Sequence, residues 1–175
     1  HEEDDAVARA VIETVNGRIP VICGAGSNST QTQLEKSRRY HDMGADGLLL
    51  ITPYYNKAND EGMYRHFAVV ADAVDTQIIL YNVPGRTGCS ISPACCARLA
   101  AHPNIVGIKE ASGSLEQVDE IIKNKPEGFE VISGDDALTF PMIASGAVGV
   151  ISVIGNALPR QFSRMIRLEF EGNYG

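Results

Sequence analysis

Six short apolar runs recur roughly 25 residues apart, about the length of one strand-plus-helix unit. They cover 19–23, 47–51, 77–80, 105–108, 129–132 and 148–152. Each closes in small or polar residues and leads into a helical pattern. These patterns lie at 30–43 and 60–74, from Ser92-Pro93 onward, at 114–124, in a short piece reaching Ser145, and from Pro159 towards Gly172. One more, over 4–15, precedes the first run and sets Ala6, Val7, Ala10, Val11 and Thr14 on one face. Strands alternating with helices require parallel pairing and right-handed crossovers. Two α/β architectures satisfy this, an open doubly wound sheet and a (β/α)8 TIM barrel. In a barrel the C-terminal ends of many strands build one site, whereas an open sheet needs functional groups only at its switch point. Here every run ends in such a group, and Gly24-Ala25-Gly26 lacks the third glycine of a dinucleotide fingerprint. The barrel is favoured. It needs eight strands, so residues 1–175 read as a single incomplete TIM-barrel domain holding six of the eight βα units.

Composition narrows the partners. The net charge of −7 argues against nucleic acid and against an anionic membrane surface. No apolar run is long enough to span a bilayer. Cys23, Cys89, Cys95 and Cys96 form no CxxC pair, which makes a reducing cytoplasm the default location. His1, His41, His66 and His102 have no histidine partner at i+4, so no metal site is expected. The last three read as helix-surface residues.

Lys109 closes the run Ile105-Val106-Gly107-Ile108. An ammonium at a buried strand end is costly unless it is paired or loses its proton, and a deprotonated lysine is a nucleophile for carbonyl substrates. The stretch by itself leaves open a surface lysine or a pair with Glu110. The other strand ends bring Tyr54, Tyr55, Tyr81, Arg86, Gly134, Asp135, Ile151 and Ser152 to the same mouth. A tyrosine there could relay protons, and Arg86 could grip a carboxylate with two prongs. Gly85 and Gly134 could leave room for substrate. The alternatives are a core Tyr81, interface tyrosines, a surface Arg86, and aspartates 135 and 136 that cap the following helix.

The strings TPYYN (52–56), YNVPGRTG (81–88), GIKEASG (107–113), SGDDA (133–137) and GVISV (149–153) resemble the dihydrodipicolinate synthase (4-hydroxy-tetrahydrodipicolinate synthase) family. That family belongs to the Schiff-base aldolase and N-acetylneuraminate lyase superfamily. The resemblance runs over essentially the whole chain. It implies a lyase of lysine and diaminopimelate biosynthesis that condenses pyruvate with L-aspartate 4-semialdehyde. Lys109, Tyr81 and Tyr55 would be catalytic, with Lys109 forming the Schiff base and no separate cofactor. Arg86 would hold the second substrate, and Gly134 and Ile151 would line the pyruvate pocket. Burial at the strand end, with Arg86 near, is expected to depress the Lys109 pKa. Tyr54 would cross to a neighbouring subunit, in a homodimer or homotetramer.

The family's Gly-Thr-Thr-Gly-Glu segment has no counterpart in the chain, which therefore resembles the middle of the enzyme, without the first two strands and the C-terminal helices. His1, Asn28 and Tyr54 match positions that contact inhibitory lysine in feedback-regulated members. Asp4 and Thr32 stand where such members usually carry histidine and glutamate, so weak lysine inhibition is expected. Another pyruvate-dependent aldolase or lyase of the superfamily, acting on 2-keto-3-deoxy-sugar acids or N-acetylneuraminate, is the nearest rival. A non-catalytic barrel that binds a keto acid is the rival from a different class.

Overall fold

A computed structural model describes residues 2–173. Eight α-helices and five β-strands alternate along it. Helix α1 (Glu2–Val15) precedes β1 (Ile22–Gly24), α2 (Thr30–Asp42), β2 (Gly47–Ile51) and α3 (Asp60–Ala71). Strand β3 (Gln77–Asn82) leads into the short α4 (Pro84–Thr87) and then α5 (Pro93–Ala100). Strand β4 (Ile105–Glu110), α6 (Leu115–Asn124), β5 (Glu130–Ser133), α7 (Thr139–Ser145) and α8 (Pro159–Phe170) follow. All neighbouring strands pair parallel, in the order β1-β2-β3-β4-β5. The sixth expected strand is reduced to one bridge, Val150 with Ser133. It still lies along β5: Val148 N–H donates to Val131 O, Ser133 N–H to Gly149 O, and Ile151 N–H to Ser133 O. The arrangement is part of a (β/α)8 barrel.

Short capped connections set this order. Ser29, Asn59, Ser92 and Ser114 each accept a backbone N–H in the first turn of α2, α3, α5 and α6. A cap of this kind contributes about 1 kcal/mol. Pro93 adds a preset first turn to α5. Helix α4 follows directly on β3, with Pro84 in its first turn. Its Gly88 adopts φ 71°, the left-handed conformation that ends a helix readily.

Register divides the sheet into two faces. Leu50, Leu80, Ile108 and Val131 form one row, fully buried in a cluster with Phe67, Leu99, Val118 and Ile121 of the helices. Each such side chain contributes about 1.5–3 kcal/mol by leaving water. The next row, Ile51, Tyr81, Lys109 and Ile132, lies on the opposite, concave face and is only half-buried. Gly107 is required where β4 meets β5, because a Cβ there would stand 2.7 Å from the Glu130 carbonyl oxygen.

Candidate active site

Strand register, rather than any loop, puts Lys109 beside Tyr81. The two are paired across β3 and β4, and the Lys109 amine lies over the Tyr81 ring, 4.2 Å from its centroid. Glu110, one residue on, necessarily points to the other face. It is buried there and fully engaged: Asn82 Nδ2 (2.9 Å) and Gln117 Nε2 (3.2 Å) donate to Oε2, and Ser112 N–H (2.6 Å) donates to Oε1. The alternative of a Lys109–Glu110 pair is therefore excluded by the alternation of the strand. What remains is a half-buried amine on the concave face. Burial pulls its pKa below the ordinary lysine value, and the Asp136 carboxylate opposes that shift. The expected help from Arg86 is not what the amine experiences. Arg86 acts instead on Tyr81, where burial raises the phenol's pKa and the guanidinium partly offsets it. Tyr81 thus keeps its proton at neutral pH, as a proton donor must.

Gly134 gives the lysine its space. A Cβ at this position would come within 2.9 Å of Ala111 Cβ and 3.0 Å of Lys109 Cε. At Gly85 a Cβ would meet nothing within 4 Å, so no protein atom requires a glycine there. A cavity of about 560 Å³ opens between Tyr81, Arg86, Ala111, Gly134, Asp136 and Val153. Ile151 sits half-buried at its strand end, held by its N–H bond to Ser133.

A second cavity, about 650 Å³, is walled by Tyr54, Tyr55, Lys57 and again Arg86. Arg86 therefore stands between the two. Tyr55 is not gathered with Lys109 in the single chain: it is 87% exposed, with φ 73°. Its N–H donates to Thr87 O, which ties its loop to α4. Of the positions matched to lysine inhibition, Asn28 joins this loop by accepting from Asn56 Nδ2 at 2.7 Å, and Tyr54 is exposed. His1 lies outside the described residues.

Three features escaped the sequence reading. The first is the buried trio Glu110, Asn82 and Gln117; the polar residues immediately following Tyr81 and Lys109 on strands were its signal. The second is His66. It is buried, not on a helix surface, with Nδ1 2.7 Å from the Thr30 hydroxyl, and burial lowers its pKa to about 4. The third concerns the aspartates, neither of which caps α7, whose N-cap is Leu138. Asp135 turns the chain locally by accepting from Ala137 N–H, whereas Asp136 crosses to residues 153 and 154. Among the described residues no group of three or more His, Cys, Asp or Glu side chains could hold a metal ion. No described helix is long and apolar enough to cross a membrane.

The sequence profile of the Dihydrodipicolinate synthetase family matches residues 1–175. The 4-hydroxy-tetrahydrodipicolinate synthase of Phocaeicola vulgatus is 53% identical over 174 residues, covering 99% of this chain and 59% of that protein. The dihydrodipicolinate synthase structure from Thermotoga maritima superposes with a TM-score of 0.96 at 41% identity, over 99% of this chain and 60% of that one. The Acinetobacter baumannii enzyme, solved with pyruvate bound, superposes with a TM-score of 0.93 at 42% identity, over 97% of this chain and 58% of its own. The chain thus spans about three fifths of the length of the relatives it matches.

Proposed function

The chain belongs to the dihydrodipicolinate synthetase family, and we propose that its protein condenses pyruvate with L-aspartate 4-semialdehyde through a Schiff base on Lys109. The observation that carries this reading is the lysine itself, set on a half-buried strand end against Tyr81, with Gly134 clearing its path. A barrel that only bound a keto acid would have no use for a lysine whose ammonium is disfavoured.

The neutral Lys109 amine attacks the ketone carbon of pyruvate, forming the C–N bond. Protons pass to the carbonyl oxygen, water leaves as the C–O bond breaks, and a cationic iminium remains. Tyr81, protonated and with its ring under the amine, would donate and retrieve those protons through its hydroxyl. Loss of a methyl proton gives the enamine, whose carbon attacks the aldehyde of the second substrate. The amine of that substrate then displaces Lys109 as the ring closes. Arg86, at the junction of the two cavities, suits the carboxylate of the incoming aldehyde. No cofactor is required, because the iminium supplies the electron sink. Tyr55, exposed here, would join the proton relay, and Tyr54 would cross to a second copy in a dimer or tetramer. The product would serve lysine and diaminopimelate biosynthesis in the cytoplasm.

The test is chemical trapping in the full-length protein. Incubation with pyruvate and borohydride should add one pyruvyl-derived group to Lys109, found by peptide mass spectrometry, and Lys109→Arg should abolish it. A folded protein that yields no adduct overturns the reading.

A further inference from the structure

Among the described residues, Asp136 is the one acidic side chain that links two strand ends at the cavity beside Lys109. Its Oδ2 accepts the N–H of Val153 at 3.0 Å and of Ile154 at 2.8 Å, joining the loop after β5 to the chain that follows the Val150 bridge. Val153 and Ile154 are exposed at the start of a 3-10 turn whose other hydrogen bonds are local, from residues 155–158 back to 152–154. The carboxylate's other oxygen, Oδ1, is buried and accepts no hydrogen bond. A buried carboxylate oxygen left this way is costly unless a positive charge faces it. Two cations are near: Arg86 lines the same cavity, and Lys109 adjoins it, with its amine over the Tyr81 ring and its stem against Gly134, both of which line it.

We propose that Asp136 is a positioning residue with two linked duties: it clamps residues 153 and 154 over the cavity, and it is the counter-charge for Lys109 and for the iminium formed there. The inference rests on the Schiff-base reading and assigns to Asp136 a part in it.

The surroundings of Lys109 make the assignment specific. Strand β3 contributes Tyr81, which keeps its proton, and α4 contributes the cationic Arg86. The loop after β5 contributes Asp135 and Asp136. Glu110, on β4 itself, faces the helices and is engaged by Asn82, Gln117 and Ser112. Asp135 spends one oxygen on its own turn, at Ala137 N–H. Among the described residues the Asp136 charge is the one that raises the Lys109 pKa, and the effect is mutual. Burial raises the Asp136 pKa, but the Ser152 hydroxyl, the two backbone N–H groups and the Lys109 charge together hold it below the ordinary carboxylate value.

The chemistry needs this balance. Converting an ammonium and a ketone to an iminium and water conserves one positive charge at the lysine nitrogen. The attacking form in between is neutral. A carboxylate acting across the cavity on the nitrogen stabilises both charged states, while burial keeps the neutral form within reach.

Two substitutions separate the duties. Asp136→Asn keeps an oxygen that can accept from residues 153 and 154 but removes the charge. Asp136→Glu keeps the charge but displaces the clamp. In the full-length protein, the rate of pyruvate trapping on Lys109 with cyanoborohydride is followed across pH. For Asp136→Asn the acid limb of the profile should move to lower pH, and the adduct formed at neutral pH should fall. For Asp136→Glu the limb should stay in place while kcat/KM drops, on the order of 10²-fold if the loop shifts by about 1 Å. Asp135→Asn should leave the profile where it is. An Asp136→Asn profile that superimposes on the parent, or an equal displacement in Asp135→Asn, overturns the proposal. If Asp136→Asn fails to fold, a limb that moves in Asp136→Glu has the same consequence. Absence of adduct in the parent protein would instead remove the Schiff-base reading.

Discussion

Replacing Gly134 by alanine should injure the reaction far more than the fold. The added methyl would stand 2.9 Å from Ala111 Cβ, 3.0 Å from Lys109 Cε and 3.1 Å from Lys109 Cγ. Carbon atoms rest at about 3.5–4.0 Å, so something must give by roughly 0.5–1 Å. Ala111 is fixed to the backbone, where its N–H donates to Asn82 O at 2.8 Å. The lysine stem is the softer neighbour. It will swing aside, at a stability cost near the low end of the ~1–3 kcal/mol typical of overpacking. A displacement of about 1 Å at the reacting atom can cost 10²-fold, so kcat/KM and the rate of pyruvate trapping should both fall by about that factor. Thermal unfolding measured alongside should change little. Rates within about twofold of the parent would show that the lysine does not need the space this glycine leaves, and the argument from packing to chemistry would fail.

His66→Gln should flatten the acid dependence of stability. The folded pKa is lowered from 6.5 to about 4 by burial, so between those values the unfolded chain takes up a proton that the native one refuses. Stability is therefore complete above the window and falls by up to about 1.4 kcal/mol per pH unit as pH drops through it. Urea titrations at two pH values measure this, and an unchanged difference in the variant would refute it. Glu110→Gln turns an amide donor towards groups that now donate to a carboxylate. It should destabilise by about 1–3 kcal/mol for each donor left unpaired, read from denaturant midpoints; equal midpoints would contradict the network. Arg86→Ala should raise the KM for the aldehyde substrate by roughly 10–100-fold, the loss of a charge-assisted contact of ~1.5–3 kcal/mol. Pyruvate trapping should fall much less, and an equal loss in both would place Arg86 elsewhere in the mechanism. Lysine at millimolar concentration should inhibit weakly, since Thr32 offers no charge and Asp4 already pairs with Lys36 at 3.5 Å; strong inhibition would disprove this.

The order of strands and helices was written in local pattern. Apolar runs of strand length, serine and asparagine caps and the glycines between them act over a few residues, and parallel pairing follows from the length of the connections. Lys109, Tyr81 and Arg86 were legible for the same reason: each sits in a short motif at the end of its strand. The sixth strand was overcalled in extent: its run bonds to β5 at three backbone positions but forms a single bridge. Register was the larger decision left to tertiary structure. One residue of slip would exchange Lys109 with Glu110, sending the amine among the helices and the carboxylate into the cavity. Burial was another: His66 looked like a surface residue until α2 packed against its own helix, α3. The same holds for Asp136, whose partners lie at 153 and 154. A carboxylate beside a turn reads as a helix cap in sequence, and only the packing of two strand ends brings distant backbone N–H groups within its reach.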